Sequence, residues 1–182
     1  MIHHNAPFKD PAAFAQLFEQ HHLAVFRFIY GLSGWPLSEV EDVTADTFMR
    51  AWKARASFDG SEHAALGWLL TIARHQVIDA ARRKKVRQRG QITKSEDWDE
   101  FLPADHDENP EWIAIRKEQD EILFGLLSLL TTERRELLVL RYILGWQVKR
   151  IAAYMDLPEN TTSVYLRRAI EQLRHSWPTD DK

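Results

Sequence analysis

The sequence contains no cysteine at all. That excludes a disulfide framework, a thiolate metal site and a cysteine nucleophile, and a reducing cytoplasm suits such a chain. Glycine and proline are scarce, seven each in 182 residues, and they fall mostly between stretches of helical periodicity. Alternating strand patterns are missing, which leaves the all-α class. Nothing approaches the roughly 20 consecutive apolar residues of a bilayer-spanning helix, so no membrane insertion is expected. The opening Met1-Ile-His-His-Asn-Ala-Pro7 lacks a basic stretch followed by an apolar run, and no secretory signal is read there. A His-Glu-x-x-His pattern is absent, and the adjacent pairs His3-His4 and His21-His22 cannot face one another on a helix, so no metal site is expected. Neither a glycine-rich phosphate loop nor a Gly-x-Ser-x-Gly elbow occurs. Paired carboxylates such as Asp105 and Asp107 lie where nothing holds their geometry. With no coherent catalytic set present, these absences argue against an α-helical hydrolase or metal enzyme, and no cofactor is expected.

What is present is helix-forming sequence with enough apolar residues, 45%, to build real cores. Pro11 to about Leu32 spaces Phe14, Leu17, Phe18, Val25, Phe28 and Ile29 by threes and fours. Gly31, Gly34 and Pro36 interrupt it. Ser38 and Glu41 suit a capping box for a second helix to about Ala56, with Val40, Val43, Phe48, Ala51 and Trp52 on one stripe. After the loop 57–63, a third helix from about Ala64 to Arg87 carries Leu66, Leu69, Leu70, Ala73, Val77, Ile78 and Ala81. Residues 88–110 lose the periodicity and hold Gly90, Pro103 and Pro110. The expectation is two small helical domains, 1–88 and 111–182, joined by a flexible acidic linker, 89–110. A helix starts near Pro110, a favourable first-turn residue. Thr131 or Thr132 caps the next helix, and Gly145 stops it.

The formal net charge of −3 hides a strong segregation. Residues 82–89, Arg-Arg-Lys-Lys-Val-Arg-Gln-Arg, hold six cations in eight positions, whereas residues 96–111 hold eight acids and no Lys or Arg. Local fields rather than net charge decide where a polyanion binds. Six cations in eight positions favour a polyanion partner over a merely solvated helix end.

Near the C-terminal end, Gln147-Val-Lys-Arg-Ile-Ala-Ala-Tyr-Met155 reads as a helix, Asp156-Leu-Pro-Glu-Asn160 as a turn, and 161–174 as a second helix. Ala152 is small where two helices approach, and Leu157 anchors the turn. The second helix opens with small polar residues and carries Arg167, Arg168 and Arg174 further along. That layout fits a helix whose first turns enter a DNA major groove while its cations hold phosphates.

Two constellations in the first half have a bland and a sharp reading. Asp42 and Asp46 are four apart on one helical face, and Asp46 and Arg50 repeat the spacing. On composition alone this is a solvated face with one ion pair, worth about 0.3–0.5 kcal/mol. Arg74, His75, Arg82 and Arg83 form a polar stripe opposite the apolar one. Phe58 and Trp68 suit stacking on unpaired bases, at about 1–3 kcal/mol per base; taken singly, each suits a core position better.

Together these blocks resemble a bacterial sigma-70-type factor of the small extracytoplasmic-function group, over residues from about 14 to 177. Glu41-Asp-Val-Thr-Ala-Asp-Thr-Phe-Met-Arg-Ala-Trp52 is similar to the family's Asp-Leu-x-Gln-Glu-x-Phe-x-Arg-Ala-Trp stretch. Gly67-Trp-Leu-Leu-Thr-Ile-Ala-Arg-His-Gln-Val-Ile-Asp-Ala-Ala-Arg-Arg83 is similar to its Trp-Leu-x-x-Ile-Ala-Arg-Asn…Asp-x-x-Arg-Arg stretch. Residues 126–142 and the helix pair after them resemble its C-terminal promoter-binding domain.

The resemblance implies a transcription initiation subunit that binds core RNA polymerase and directs promoter recognition, −10 melting and initiation. It implies region 2 at 1–88 and region 4 at 111–182. Asp42, Asp46, Thr47, Arg50, Trp52 and Lys53 would dock on the clamp helices of the polymerase β′ subunit, with the β flap as a second polymerase contact of the chain. This reverses the bland reading of that stripe. Phe58, Asp59, Trp68, Arg74, His75, Asp79, Arg82 and Arg83 would hold the −10 element as single strand. Asn160, Thr161, Thr162, Ser163, Tyr165, Arg167 and Arg168 would read the −35 element as duplex. An anti-sigma factor would cover the same surfaces and could hold the chain at a membrane.

The chain departs from the family pattern at named places. His75 stands where the family usually has Asn, and Lys149-Arg150 replaces a polar-Glu pair. Asp156 replaces Gly in the turn and must accept a left-handed backbone. Thr162 occupies a usually apolar position, and Tyr165 replaces a frequent basic residue. The alternative is a stand-alone helix-turn-helix regulator with an N-terminal partner-binding domain, which has no evident use for the basic 64–85 helix.

Overall fold

The computed structural model describes residues 8–88 and 123–177, and every element among them is helical. The chain divides into two compact units, Met1–Asp99 and Glu100–Lys182. That division falls inside the stretch read as a linker. The rest of the linker reading, and the helix expected near Pro110, lie outside the described residues.

In unit 1, helix α1 spans Pro11–Ser33. The Asp10 carboxylate accepts the Ala13 N–H at 3.3 Å, Pro11 fits the first turn, and Gly34 ends the helix in a left-handed conformation with φ 63°. Gly31 does not break the helix; it is buried within it. Helix α2 spans Leu37–Ala54. The capping box expected at Ser38 and Glu41 is not formed, because Pro36 already starts the helix. Its carbonyl accepts the N–H groups of Glu39 and Val40 at 3.0 and 3.1 Å, leaving Ser38 inside the first turn. Helix α3 spans Glu62–Gln88 and is entered by an Ala64 N–H to Ser61 carbonyl bond of 2.9 Å.

The three helices pack pairwise. Leu17, Val25, Phe28, Ile29 and Leu32 of α1 meet Val40, Phe48 and Ala51 of α2 and Ala65, Leu69, Leu70, Ala73 and Val77 of α3 in one core. Ala81, assigned to that stripe from periodicity, is exposed. One polar pair crosses the core: the Gln76 amide donates to the Thr47 hydroxyl at 3.1 Å, which donates to the Val43 carbonyl at 2.7 Å. A buried amide without that partner would cost about 1–3 kcal/mol.

In unit 2, α4 is described over residues 123–128 and α5 spans Thr132–Leu138. Thr131 caps α5, its side chain accepting the Arg134 N–H at 3.4 Å. The helix widens into a π-helical turn at Val139–Ile143 and stops before Gly145, whose φ is +67°. Helix α6 spans Val148–Met155, and α7 spans Glu159–Ser176. Between them Asp156 adopts the left-handed backbone expected of it, φ 53° and ψ 48°. The turn is shorter than the spacing suggests, because Pro158 serves as the cap and Glu159 and Asn160 already belong to α7.

Leu126, Leu127 and Leu130 join Leu137, Leu138, Leu140, Trp146, Ile151, Ala152, Leu166 and Ala169 in the core of this unit. Arg135 fastens α5 to the end of α4 by donating to the Leu127 carbonyl at 2.9 Å. Burial pushes its pKa down from the usual guanidinium value.

Candidate nucleic-acid interface

Helix α2 turns Val40, Phe48 and Ala51 inward and thereby turns Glu41, Asp42, Ala45, Asp46, Met49, Arg50 and Lys53 outward. The expected Asp46–Arg50 ion pair is not made, and among the described residues neither Asp42 nor Asp46 has a cationic partner. Thr47 is a correction: it is fully buried and engaged with Gln76 and Val43, so it serves packing rather than the surface. Trp52 is partly exposed. Its ring meets the edge of Phe14 at 5.1 Å and lies beneath the Arg55 guanidinium at 3.4 Å.

Beside the acidic stripe runs an apolar trough of about 370 Å³, lined by Phe14, Phe18, Ala45, Phe48, Met49, Trp52 and Lys53. Phe18 is 43% exposed and Met49 56%. Periodicity places Phe18 in the core. Its ring instead meets Phe48 nearly at right angles, at 4.8 Å, and stacks on the His22 ring at 5.2 Å, keeping the partial exposure.

The loop before α3 closes over aromatic rings. Phe58 is buried, 5.5 Å from Phe8 and 4.7 Å from Trp68. Phe58 is therefore a second correction: its ring is core, and Trp68 keeps partial exposure. Phe8 carries no signal in the sequence, because it precedes α1 in a segment without periodicity. The Arg55 Nε donates to the Lys9 carbonyl at 3.4 Å and ties that segment to the loop. Gly60 sits against this cluster; a Cβ there would lie 2.7 Å from Phe58 Cζ. Phe8 and Trp68 hem that ring, so Gly60→Ala is expected to cost about 1–3 kcal/mol, read as a lower thermal midpoint. An unchanged midpoint would mean the ring moves freely.

Along α3, His75, Asp79, Arg82 and Arg83 are exposed and share one face by their spacing, while Arg74 is partly buried. Asp59 is exposed in the loop. Lys84, within the basic run, is engaged: it pairs with Glu39 and lies 4.5 Å over the Trp35 ring.

On α7, Asn160, Ser163, Tyr165, Arg167 and Arg168 face solvent and Thr161 is partly covered. Thr162 is a third correction: it is fully buried, and its hydroxyl donates to the Pro158 carbonyl at 3.1 Å. That bond explains how a hydroxyl fits an apolar position. Arg167 approaches Glu171 at 3.8 Å between exposed side chains, a pair too solvated to immobilise it. The geometry thus presents small polar groups at the start of α7, cations one to two turns further, and a left-handed turn that holds the helix against α6.

Residues 17–87 match the family model described as Sigma-70 region 2, and residues 120–173 match Sigma-70, region 4. The chain is 31% identical over 158 residues to the ECF RNA polymerase sigma factor SigC of Mycobacterium tuberculosis, covering 86% of this chain and 79% of that one. It is 26% identical over 162 residues to the ECF RNA polymerase sigma factor SigX of Bacillus subtilis, covering 88% and 81%. Among solved structures it resembles the sigma factor RpoE in complex with the anti-sigma factor NepR from Bartonella quintana. That likeness has a TM-score of 0.66 at 23% identity and covers 92% of this chain and 98% of that one. At that identity it speaks for the fold.

Proposed function

The chain belongs to the extracytoplasmic-function family of RNA polymerase sigma factors, which act in promoter recognition and transcription initiation, and we propose how its surfaces divide that work. Residues 1–88 act as region 2, 111–182 as region 4, and 89–110 as the connection between them. The exposed stripe of Asp42, Asp46, Arg50 and Lys53, with Trp52 and the trough beside it, docks on the clamp helices of polymerase β′. The β flap is a second polymerase contact of the chain.

Asp59, Trp68, Arg74, His75, Asp79, Arg82 and Arg83 hold the −10 element as single strand. Asn160, Thr161, Ser163, Tyr165, Arg167 and Arg168 meet the −35 duplex. The chain supplies recognition and strand capture while polymerase carries out the bond-making chemistry, so it is not an enzyme, and it works in the cytoplasm. A partner of the anti-sigma kind restrains it by covering these surfaces. The observation that carries the division is the unpaired acidic stripe of α2 in one unit and the polar, then basic, outward face of α7 in the other.

Reconstitution tests it. The purified chain mixed with bacterial core RNA polymerase should co-migrate on gel filtration and give promoter-dependent transcripts from genomic fragments. Duplex binding without polymerase association would instead favour the stand-alone regulator. Within the holoenzyme, Arg167→Glu with Arg168→Glu should weaken −35 duplex binding at least about tenfold. Charge-assisted bonds to phosphate disappear and repulsion replaces them. Polymerase association should be unaffected. Equal loss of both would place these arginines in folding rather than in DNA contact.

A further inference from the structure

Two cations stand side by side in the first turn of α6. Lys149 and Arg150 are exposed, whereas the next two residues, Ile151 and Ala152, are buried. Neither cation has a carboxylate partner among the described residues. Their place is electrostatically poor for the helix itself: they follow Val148, its first residue, and no acid stands in that turn. A helix is positive at that end and repels them.

Arg150 is nonetheless held in place. Its guanidinium lies 3.9 Å over the ring of Trp146. Trp146 is 5% exposed and packs edge-on against Tyr154 at 5.6 Å. The Tyr154 hydroxyl donates to the buried Glu136 carboxylate at 3.2 Å. A continuous series of packed groups therefore runs from the core of unit 2 to one surface cation. A guanidinium stacked by its face keeps its N–H edge available for an anion.

The turn from Asp156 to Pro158 brings α7 directly after α6, and the two helices pack together. When the second helix of such a pair enters a major groove, the first crosses the adjoining sugar-phosphate backbone. We propose that Lys149 and Arg150 form a phosphate clamp on duplex DNA, distinct from the residues of α7 that face base edges. The side-chain cations are the receptor, and their contribution is independent of sequence. They fix the register in which Asn160, Ser163 and Tyr165 meet the groove. The clamp rests on the reading of α6 and α7 as a duplex-binding pair.

The test titrates a labelled random-sequence duplex with the full-length chain across a series of salt concentrations. In the K149Q/R150Q double variant the slope of log affinity against log salt should become shallower by about 1.8, from about 0.9 for each phosphate that is no longer neutralised. The fall in affinity should be equal on random and promoter duplexes. The charge-conserving K149R/R150K variant should keep the wild-type slope, and both variants should co-migrate with core polymerase as the wild type does.

An unchanged slope in K149Q/R150Q overturns the clamp. The reading of α7 survives that result if R167A/R168A still lowers the slope. Weaker binding on promoter duplex alone, at unchanged slope, also overturns it, because α6 would then only position α7. A wild-type chain that binds no duplex at any salt overturns both the clamp and the reading beneath it.

Discussion

Asp46→Arg is expected to abolish co-migration with core RNA polymerase while leaving the helical circular-dichroism signal at its wild-type value. Asp46 is exposed on α2 and has no cationic partner among the described residues. Its replacement removes nothing that holds unit 1 together. The local cost is small, because the new guanidinium stands four residues before Arg50, a like-charge spacing worth about 0.2–0.5 kcal/mol on a helix surface.

Against a partner surface the balance differs. A carboxylate docked against cations gives way to a like charge, and such juxtapositions cost several kcal/mol. At about 1.4 kcal/mol per tenfold, that is a loss of at least about a hundredfold in affinity. Asp42→Arg, one turn earlier on the same face, should act in the same direction. Normal co-migration of Asp46→Arg would return this stripe to the solvated face that composition alone suggests.

Phe28→Ala should produce the largest loss of stability. The Phe28 ring is 0% exposed, in the core shared by α1, α2 and α3. Emptying such a site costs about 3–5 kcal/mol through lost transfer energy and the cavity left behind. That is a large share of the about 5–15 kcal/mol that stabilises an entire domain. For a unit of this size each kcal/mol lowers the midpoint by about 4–8 °C, so a drop of at least about 12 °C is expected by calorimetry.

The loss should appear in one transition only. Unit 2 has its own core around Leu137, Leu140 and Ile151, and its transition should stay near the wild-type temperature. A single transition moving as a whole would contradict the independence of the two cores. No shift at all would contradict the placement of Phe28.

Much of the architecture is legible along the chain because its signals are local. The spacing of Phe14, Leu17, Val25, Phe28 and Ile29 specifies one buried face of α1, and only a helix brings those positions together. The Thr131 cap, the stop at Gly145 and the left-handed Asp156 depend on a few consecutive residues and stand where expected. The outward cations of α3 and α7 are legible for the same reason, since a buried stripe implies its opposite.

Boundaries are less legible where two local signals compete. Ser38 with Glu41 is a sound capping box, but Pro36 two residues earlier starts α2. Pro158 likewise starts α7 ahead of the small polar residues that suggest its beginning.

Which side chains remain available to a partner was decided by tertiary structure. Thr47 reads as a docking residue from its place among acids, but α3 brings Gln76 against it and takes its hydroxyl into the core. Phe58 suits base stacking by its type, but Phe8, 50 residues away, covers it. Thr162 is fully buried once its unit is packed, with its hydroxyl turned back to the Pro158 carbonyl, whereas Phe18 stays 43% exposed where α1 and α2 border the trough. By itself the sequence determined the helices, most of their buried stripes and the segregation of charge, because each follows from residues within a few turns of one another. The availability of a given hydroxyl, ring or cation depends on what a distant helix places against it, and that contact exists only once the helices have packed.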